Sequence, residues 1–297
     1  MGLCNSKIKG RRIKRSTTND LSNDHGDDVE NHVYSFPHDD EECDRIHLQH
    51  LIERYIWQGN FFSPIENLLN QAGTKVLDVG TGSGAWLLEM ATKYSKSEFI
   101  GIDISQMQPD ENIPPNAKFI QANVLERLPF NDNTFDFIFQ RILFAGIPRN
   151  KWSSTIDELV RVLKPGGYLE LAENDFQYNM MGLATRKIVD GLLILFHERG
   201  IDPTVCYKLQ NYLEENKQLH NVHCEEKKYV DGQYSTKVYK LLFDDYSAVL
   251  TNIKPTLMNI IKVSSEEYDG LVNDMGKEVM ESECFNMHVR VYAQKKA

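Results

Sequence analysis

Apolar and polar residues alternate along residues 73–175 with the two periods that distinguish strands from helices. Five short runs rich in β-branched and aromatic residues predict strands: KVLDVG, EFIGIDIS, AKFIQANV, TFDFIFQR and GYLELAEN. The segments GAWLLEMATKYS and WSSTIDELVRVLKPGG have the apolar spacing of amphipathic helices. Strands and helices in this order form a parallel sheet with right-handed crossovers and helices on both faces. The pattern predicts a Rossmann-like α/β fold, in which ligands bind at the carboxyl ends of the strands.

A further amphipathic helix is predicted upstream of the first strand. Its apolar positions recur at helical spacing: Leu48, Leu51, Ile52, Tyr55 and Ile56. Asp39 and Glu42 have the spacing of a capping box, and Gly59 is placed to end the helix. We expect this helix to pack on the core, with a lid over the active site as the alternative.

Length and composition limit the classes of protein that need to be considered. With 297 residues, of which 41% are hydrophobic and 26% charged, the chain can form one α/β domain with extensions. No apolar run approaches the roughly 18 residues that span a membrane, and the N-terminus has no apolar stretch of signal-peptide type. The five cysteines show neither CxxC nor Cys/His clustering, so we expect no disulfide framework and no metal site. We therefore expect a cytoplasmic protein.

The charge is distributed very unevenly. The first 15 residues contain six basic residues and no acid, whereas residues 16–44 contain ten acids and no Lys or Arg. Such polar, charged segments bury too little apolar surface to order themselves, so residues 1–37 are predicted to form a disordered tail. The net charge is −10, which leaves −16 on the chain after the first 15 residues. Because nucleic-acid binding needs a basic face, we expect no nucleic-acid partner.

The first six residues, MGLCNS, match the pattern for N-myristoylation. Removal of Met1 would expose Gly2, and Cys4 lies where palmitoylation commonly follows. One myristoyl chain binds membranes only marginally, but Cys4 and the basic run each offer a second signal. The tail is thus predicted to attach the protein to the cytosolic face of a membrane. A plain basic tail and a nuclear-import signal in KGRRIKR are the alternatives.

The segment VLDVGTGSGAWLLEM is compatible with two cofactors. Gly80, Gly82 and Ala85 have the spacing of a dinucleotide-binding turn, and Gly80, Gly82 and Gly84 have the spacing of a loop that binds S-adenosylmethionine (SAM). A carboxylate at Asp78 disfavours a pyrophosphate on the helix N-terminus. SAM carries an ammonium and a sulfonium and no phosphate, so Asp78 favours SAM.

Two later strand ends carry polar residues suited to the rest of the ligand. Asp103 ends the second strand, where a carboxylate accepts hydrogen bonds from both ribose hydroxyls. Asn123 follows the third strand, where its amide could accept from the adenine amino group, and Val124 offers its backbone N–H to a ring nitrogen. The alternative for each polar side chain is a structural role in the following turn.

These motifs together resemble the class I SAM-dependent methyltransferases. VLDVGTGSG is similar to their first motif, GIDIS to the second, NVLERLPFNDNTFDFIF to the third and fourth, and ELVRVLKPGGYLEL to the helix and turn before the fifth strand. The resemblance covers residues 73–175 closely. Through DEECDRIHLQHLIERYIWQGNFFSPIENLL it extends upstream to a fungal-type small-molecule or regulatory subgroup. It implies the following cofactor-binding residues: Asp78, Gly80, Thr81, Gly82, Gly84, Asp103, Ile104, Asn123, Val124 and Gln140. Asn123 departs from the pattern, since many members have Asp there.

The resemblance also implies the remainder of the fold. It predicts a seven-stranded, mostly parallel sheet whose last two strands are NVHCEEKKYV and MHVRVYAQKK. Residues 231–284, between those strands, have helical patterns and are predicted to form an insertion beside the acceptor pocket or a cover over the sheet. The expected methyltransferase domain is 38–297, with a SAM-binding core at 73–175.

The function expected from the sequence is methyl transfer from SAM to an acceptor, most simply a small molecule. In-line displacement on an activated methyl depends mainly on positioning, so the sequence names the cofactor and leaves the catalytic residues unknown. Motifs of nucleic-acid amino or cytosine methylation and of arginine methylation are missing. Glu173, Asp175 and His197 follow the fifth strand as candidates facing an acceptor, although solvated or capping roles are more common for such residues. The alternatives are a nucleotide-dependent oxidoreductase and a SAM-binding regulatory protein with little turnover.

Overall fold

The computed structural model describes residues 40–109, 111–175, 181–230, 236–281 and 285–297. The predicted tail at residues 1–37, with Gly2 and Cys4, lies outside the described residues, as does Asp39 of the predicted capping box. Those expectations therefore remain predictions.

The described strands form one sheet of seven in the order β3-β2-β1-β4-β5-β7-β6. Their bounds are β1 (Lys75–Val79), β2 (Glu98–Asp103), β3 (Ala117–Gln121), β4 (Phe135–Arg141), β5 (Leu163–Asn174), β6 (Leu219–Val230) and β7 (Phe285–Lys295). Strands β1 to β5 are parallel, and β7 runs antiparallel to both β5 and β6. The prediction of a seven-stranded, mostly parallel sheet is confirmed. The chain order reverses between β1 and β4, which is where such sheets bind ligands.

Helices connect and cover these strands. Their bounds are α1 (Asp40–Trp57), α2 (Glu66–Leu69), α3 (Ala85–Lys93), α4 (Trp152–Val162), α5 (Leu183–Glu198), α6 (Leu209–Glu215), α7 (Thr236–Asn252), α8 (Lys254–Ile261) and α9 (Ser265–Glu281). The helices α7, α8 and α9 occupy most of the segment between β6 and β7. Of these, α8 and α9 pack against α5, and α7 packs against α1.

The central strands are buried on both faces, as expected for a parallel sheet between helices. On one face, Leu77, Ile138, Leu169 and Val291 belong to a core shared with α4, α5 and α6. On the other face, aromatic residues of β2 and β4 pack against α3, and Trp86 stacks on Phe139 with ring centroids 4.2 Å apart. Near-continuous apolar strands therefore position the few polar residues at the carboxyl edge.

The start of β5 differs from the prediction. We expected WSSTIDELVRVLKPGG to form the helix and turn before a strand at 167–174, but α4 ends at Val162 and β5 begins at Leu163. The pairing of β5 with β4 is irregular between Phe135 and Phe137. Pro165 has no N–H to donate to the neighbouring strand, and Gly166 has a φ of 78°. The residues that were expected to form a turn therefore lie within β5, where they interrupt its regular pairing with β4.

The buried face of α1 is also different from the expected apolar face. Leu51 and Tyr55 are 57% and 49% exposed, whereas Ile52, Ile56 and Trp57 are buried. The buried face also contains charged or polar side chains, namely Glu42, His50 and Glu53. Because α1 packs partly against the polar carboxyl edge of the sheet, paired polar residues replace some of the apolar positions that a helix on a hydrophobic core would need.

Candidate cofactor site

The glycine loop between β1 and α3 adopts a conformation that requires glycine. Gly80, Gly82 and Gly84 have φ angles of 67°, 53° and 80°, in the left-handed region that L residues rarely adopt. The backbone N–H groups of Gly80 and Thr81 both donate to the Ile102 carbonyl oxygen, at 2.9 and 3.0 Å. The loop is thereby fixed against the end of β2.

The three glycines differ in what surrounds them. A Cβ on Gly80 would lie 2.7 Å from Leu143 Cδ1, and one on Gly84 would lie 2.6 Å from Phe119 Cζ. At Gly82 the nearest atom would be Ile46 Cδ1 of α1, at an ordinary 3.4 Å. From their spacing, all three glycines were expected to belong to a loop that binds SAM. In the structure, a Cβ at Gly80 or Gly84 would clash with a protein side chain, whereas a Cβ at Gly82 would make an ordinary contact with Ile46 of α1.

Asp78 lies beneath this loop. It is buried, and the Thr81 hydroxyl donates to its Oδ2 at 2.6 Å. Burial raises the pKa of Asp78 to about 7, and the nearby carboxylate of Asp103 adds to this effect, although Thr81 and Arg141 oppose it. A cationic ligand group would favour the ionised form of this carboxyl, whereas a phosphate would oppose it.

Asp103 connects the end of β2 to the loop. Its Oδ2 accepts from the Gly82 N–H at 2.9 Å, and its Oδ1 accepts from the N–H and hydroxyl of Ser105 at 2.9 and 2.8 Å. A carboxylate offers about four acceptor positions, so the three protein donors leave one open. One ribose hydroxyl fits this arrangement directly, and a second requires Ser105 to give up a bond.

The adenine-side candidates follow the ends of neighbouring strands. Ile104 is 48% exposed, which leaves an apolar surface beside Asp103 for a flat ring. The Asn123 Oδ1 accepts from the Leu125 N–H at 3.0 Å, and its Nδ2 donates to Glu126 Oε1 at 3.1 Å. The Asn123 side chain therefore closes its own turn in this structure, while the partly buried Val124 packs against the core.

Gln140 and Glu173 form a buried pair that supports a strained turn after β4. Gln140 Nε2 donates to Glu173 Oε1, and the Glu173 carboxyl also accepts from the N–H groups of Leu143 and Phe144. The turn contains Ile142 with a φ of 49°, an uncommon conformation for a β-branched residue. Burial raises the pKa of Glu173 to about 8. Glu173 thus anchors the turn that places Leu143 against Gly80.

The other two acceptor candidates also have structural surroundings. Asp175 is buried, and its Oδ2 accepts from the Tyr207 hydroxyl at 2.7 Å. His197 lies exposed near the end of α5. Their role toward an acceptor therefore remains a prediction.

Sequence reasoning missed a polar layer between α1 and the sheet. The Nδ1 of His50 lies 3.2 Å from Arg141 Nη2, and its Nε2 lies 2.8 Å from Glu89 Oε2. Burial and the Arg141 guanidinium lower the pKa of His50 to about 4, so this imidazole is neutral at pH 7. Farther along α1, Glu53 Oε1 contacts His288 Nδ1 at 3.0 Å.

The charges of this layer compensate each other only through tertiary contacts. Burial alone would raise the pKa of Glu53, but His288, Arg141 and Arg290 together lower it to about 2. The buried Arg290 guanidinium lies over the Trp57 ring, 4.6 Å from its centroid. The alternation of His288 and Arg290 with valines in β7 was the available sequence signal, because alternating residues of a strand face the same side.

The described part of the chain contains neither a metal-ligand cluster nor a membrane-spanning helix. Within it, no group of three or more His, Cys, Asp or Glu residues is arranged to hold a metal ion. None of its helices is both long and apolar enough to cross a membrane.

Comparison with known proteins shows what the chain is similar to. Residues 76–167 match the family model described as a methyltransferase domain. The chain is 30% identical over 172 residues to methyltransferase str2 of Strobilurus tenacellus, covering 57% of this chain and 60% of that protein. It is 34% identical over 143 residues to methyltransferase pytC of Aspergillus terreus, covering 48% and 42%.

A third relative is named as a regulator. The secondary metabolism regulator LAE1 of Cochliobolus heterostrophus is 29% identical over 147 residues, covering 49% of this chain and 47% of that protein. The chain therefore matches between 42% and 60% of the length of these three relatives. Among solved structures, a Haemonchus contortus phosphoethanolamine N-methyltransferase has a TM-score of 0.48 at 18% identity, covering 84% of this chain and 58% of that one. Residues 76–167 are therefore similar to a methyltransferase domain, and about half of the chain is similar to fungal methyltransferases.

Proposed function

We propose that the protein binds SAM at the carboxyl ends of β1 and β2 and transfers its methyl group to a small-molecule acceptor. The observation that carries this proposal is the left-handed glycine loop, tied by the Gly82 N–H to Asp103 and backed by the buried carboxyl of Asp78. Bound SAM supplies an activated methyl group on a sulfonium. The protein then has to hold the acceptor in line with that methyl group.

The proposed cofactor contacts follow from the positions of the side chains. Asp103 accepts a ribose hydroxyl at its open acceptor position, and Ile104 contacts the adenine ring. The missing side chain at Gly82 leaves the ligand room to approach the loop beside Ile46 of α1. Asn123 and Val124 remain proposed adenine contacts, and Asn123 must then reorganise its turn. Gln140 supports the site through the turn at 142–144, together with Glu173.

The proposed domain boundaries are those expected from the sequence, with a SAM-binding core at 73–175 inside a domain at 38–297. A small-molecule acceptor is supported by the acidity of the chain, which carries −16 outside its first 15 residues. A polyanionic nucleic acid would be repelled by that charge. No residue is assigned as a general base, because an acceptor that arrives deprotonated needs none.

Binding and turnover are tested separately. We expect calorimetry to show binding of SAM and of its demethylated product, S-adenosylhomocysteine, and no binding of NAD or NADP. Binding of NADPH in place of SAM would support an oxidoreductase, which the comparisons do not favour. Incubation with methyl-labelled SAM and a fractionated cell extract should then transfer label to a low-molecular-mass fraction. Tight SAM binding without any transfer would support the regulatory alternative.

We also propose that the tail holds the protein on the cytosolic face of a membrane. The proposal rests on Gly2, Cys4 and the six basic residues of the tail. Each basic residue contributes about 1 kcal/mol to binding near anionic lipid. Membrane fractionation of the wild type should show a bound pool that Gly2→Ala and Cys4→Ser both release. Mass spectrometry of the N-terminal peptide supplies the direct control. An unmodified Gly2, or equal solubility of all three proteins, would exclude the anchor and leave the methyltransferase assignment intact.

A further inference from the structure

The polar layer under α1 contains a guanidinium with an unused donor. Arg141 is the last residue of β4, and its Nη2 donates to His50 Nδ1 at 3.2 Å. Its Nη1 is buried and has no hydrogen-bond partner among the residues that the structure describes. A buried charged donor without a partner is unfavourable, so this atom indicates a group that the protein alone does not supply.

The neighbouring acids are already bound by other donors. Glu53 bonds to His288 and Trp57, Glu89 to His50, Asn60 and Arg54, and Asp78 to Thr81. All three carboxyls act on the charge of Arg141 from a distance. Among the described residues, none of them forms an ion pair with Arg141 within 4.0 Å. The nearby carboxyls therefore compensate the charge of the Arg141 guanidinium without forming hydrogen bonds to it.

The position of Arg141 places this donor at the candidate cofactor site. Strand β4 pairs with β1, and β1 leads directly into the glycine loop. Arg141 and Asp78 interact electrostatically, so a positive and a negative group lie near each other at this edge. The two groups are complementary to the end of an amino acid, which carries a carboxylate beside an ammonium.

We propose that Arg141 Nη1 binds a carboxylate of a ligand held at the glycine loop. This inference rests on the proposed function. Two sources provide that chemistry, the methionine end of SAM and a carboxylate on the acceptor. The nearby Asp78 favours the methionine end, because that end of SAM presents a carboxylate and an ammonium together. Arg141 is then a specificity-determining residue that the sequence motifs do not mark.

The first experiment compares two ligands that differ only in the carboxylate. Calorimetry measures the dissociation constants of SAM and decarboxylated SAM for wild type, Arg141→Met and Arg141→Lys. We expect Arg141→Met to weaken SAM at least tenfold and decarboxylated SAM less than threefold, with Arg141→Lys intermediate for SAM. Arg54→Met is the matched control, since Arg54 also contacts Glu89 but its side chain is 51% exposed, and it should leave both constants unchanged.

A second experiment identifies an acceptor carboxylate. If SAM affinity is unchanged in Arg141→Met, benzoate is titrated into protein loaded with S-adenosylhomocysteine. Benzoate binding to wild type and to Arg54→Met, with loss in Arg141→Met, would assign the site to the acceptor. Equal losses for SAM and decarboxylated SAM in a folded Arg141→Met protein, or no change in any of these measurements, would overturn the inference. Failure of the wild type to bind either SAM compound would instead refute the proposed function.

Discussion

At the scale of single residues, the structure separates side chains that hold the site together from those that remain available to a ligand. Asp103 does both, because it fixes the glycine loop through Gly82 and keeps one acceptor position open. Glu173 belongs to the first group, since its carboxyl is used by the turn after β4. Burial makes the ionisation of Glu173 depend on a few named neighbours.

Replacement of Asp103 should weaken SAM binding. In Asp103→Ala, the ligand loses a hydrogen bond to a charged acceptor, worth about 1.5 to 3 kcal/mol, and the loop loses its tie through Gly82. The dissociation constant for SAM in calorimetry should rise at least tenfold. Asp190→Ala, at an exposed position of α5, is the matched control. Unchanged affinity in Asp103→Ala would refute the ribose assignment.

Glu173 should make the stability of the protein depend on pH. Its folded pKa of about 8 exceeds the ordinary value of 4.5, so the folded state retains a proton that the unfolded state releases. This contribution is fully present below pH 4.5 and is lost as the pH rises toward 8, at about 1 kcal/mol per pH unit. The side chain of Glu173→Gln cannot ionise. Between pH 5.5 and 7.5, the free energy of unfolding of Glu173→Gln should therefore rise relative to that of the wild type by about 1 kcal/mol per pH unit.

Urea denaturation of both proteins at several pH values measures this difference. The side-chain amide of Glu173→Gln lies beside the Phe144 N–H and lowers the free energy of unfolding by an amount that does not change with pH. Glu198→Gln, at an exposed position near the end of α5, is the matched control. A pH-independent difference between wild type and Glu173→Gln would mean that Glu173 is ionised in the folded state.

At the scale of elements, the glycine loop shows how close packing and backbone conformation combine. The loop lies between β1 and α3 and is bounded by Phe119 of β3 and by the turn after β4. A loop held on several sides gives a rigid platform for a ligand. Its stability then depends on the absence of side chains at particular positions.

Gly84→Ala should destabilise the protein more than a comparable change elsewhere. Both Gly84 and Gly166 have φ near 80°, so alanine costs about 1 to 2 kcal/mol at either position. A Cβ at Gly84 also lies 2.6 Å from Phe119 Cζ, whereas one at Gly166 has nothing within 4 Å. We expect an additional loss of about 1 to 3 kcal/mol for Gly84→Ala in urea denaturation. The added change Phe119→Leu should recover part of it, and equal costs at both glycines would contradict this account.

At the scale of the whole molecule, contacts distant in sequence attach the N-terminal helix to the helices inserted near the end of the chain. Arg45 of α1 binds Glu42 at 2.7 Å and Asp245 of α7 at 3.0 Å. Asn252 of α7 also donates to Glu42 at 3.2 Å. Ile46 of α1 is the side chain nearest to the position that a Cβ on Gly82 would occupy. The attachment of α1 to α7 therefore also positions one wall of the candidate site.

Loss of the Arg45 guanidinium should therefore loosen α1 and weaken ligand binding. Arg45→Met leaves the carboxyls of Glu42 and Asp245 without the cation that they share, at a cost of about 3 kcal/mol. Hydrogen exchange should increase in α1 and α7, with little change in β1. Asp245→Asn retains an acceptor for Arg45 and should have a smaller effect. Unchanged exchange in α1 of Arg45→Met would show that other contacts suffice to hold the helix.

The sequence by itself determined the parallel part of the sheet and the position of the glycine loop, and it favoured SAM as the cofactor. Strand and helix periods arise from local geometry, so the five parallel strands could be predicted with near-correct bounds. The spacing of Asp78, the glycines and Asp103 is likewise local to β1, β2 and the turn between them. These features depend on residues close together along the chain, and a linear pattern records them.

Only the tertiary structure decided what the polar residues contact. The neutral His50, the buried Glu53 and the partnerless Arg141 Nη1 come from α1 and β4, which are about ninety residues apart. The exposure of Leu51 and Tyr55 follows from the same packing, because α1 rests on a polar sheet edge. Burial and pairing depend on which elements meet in space, and no periodicity within a single element carries that information.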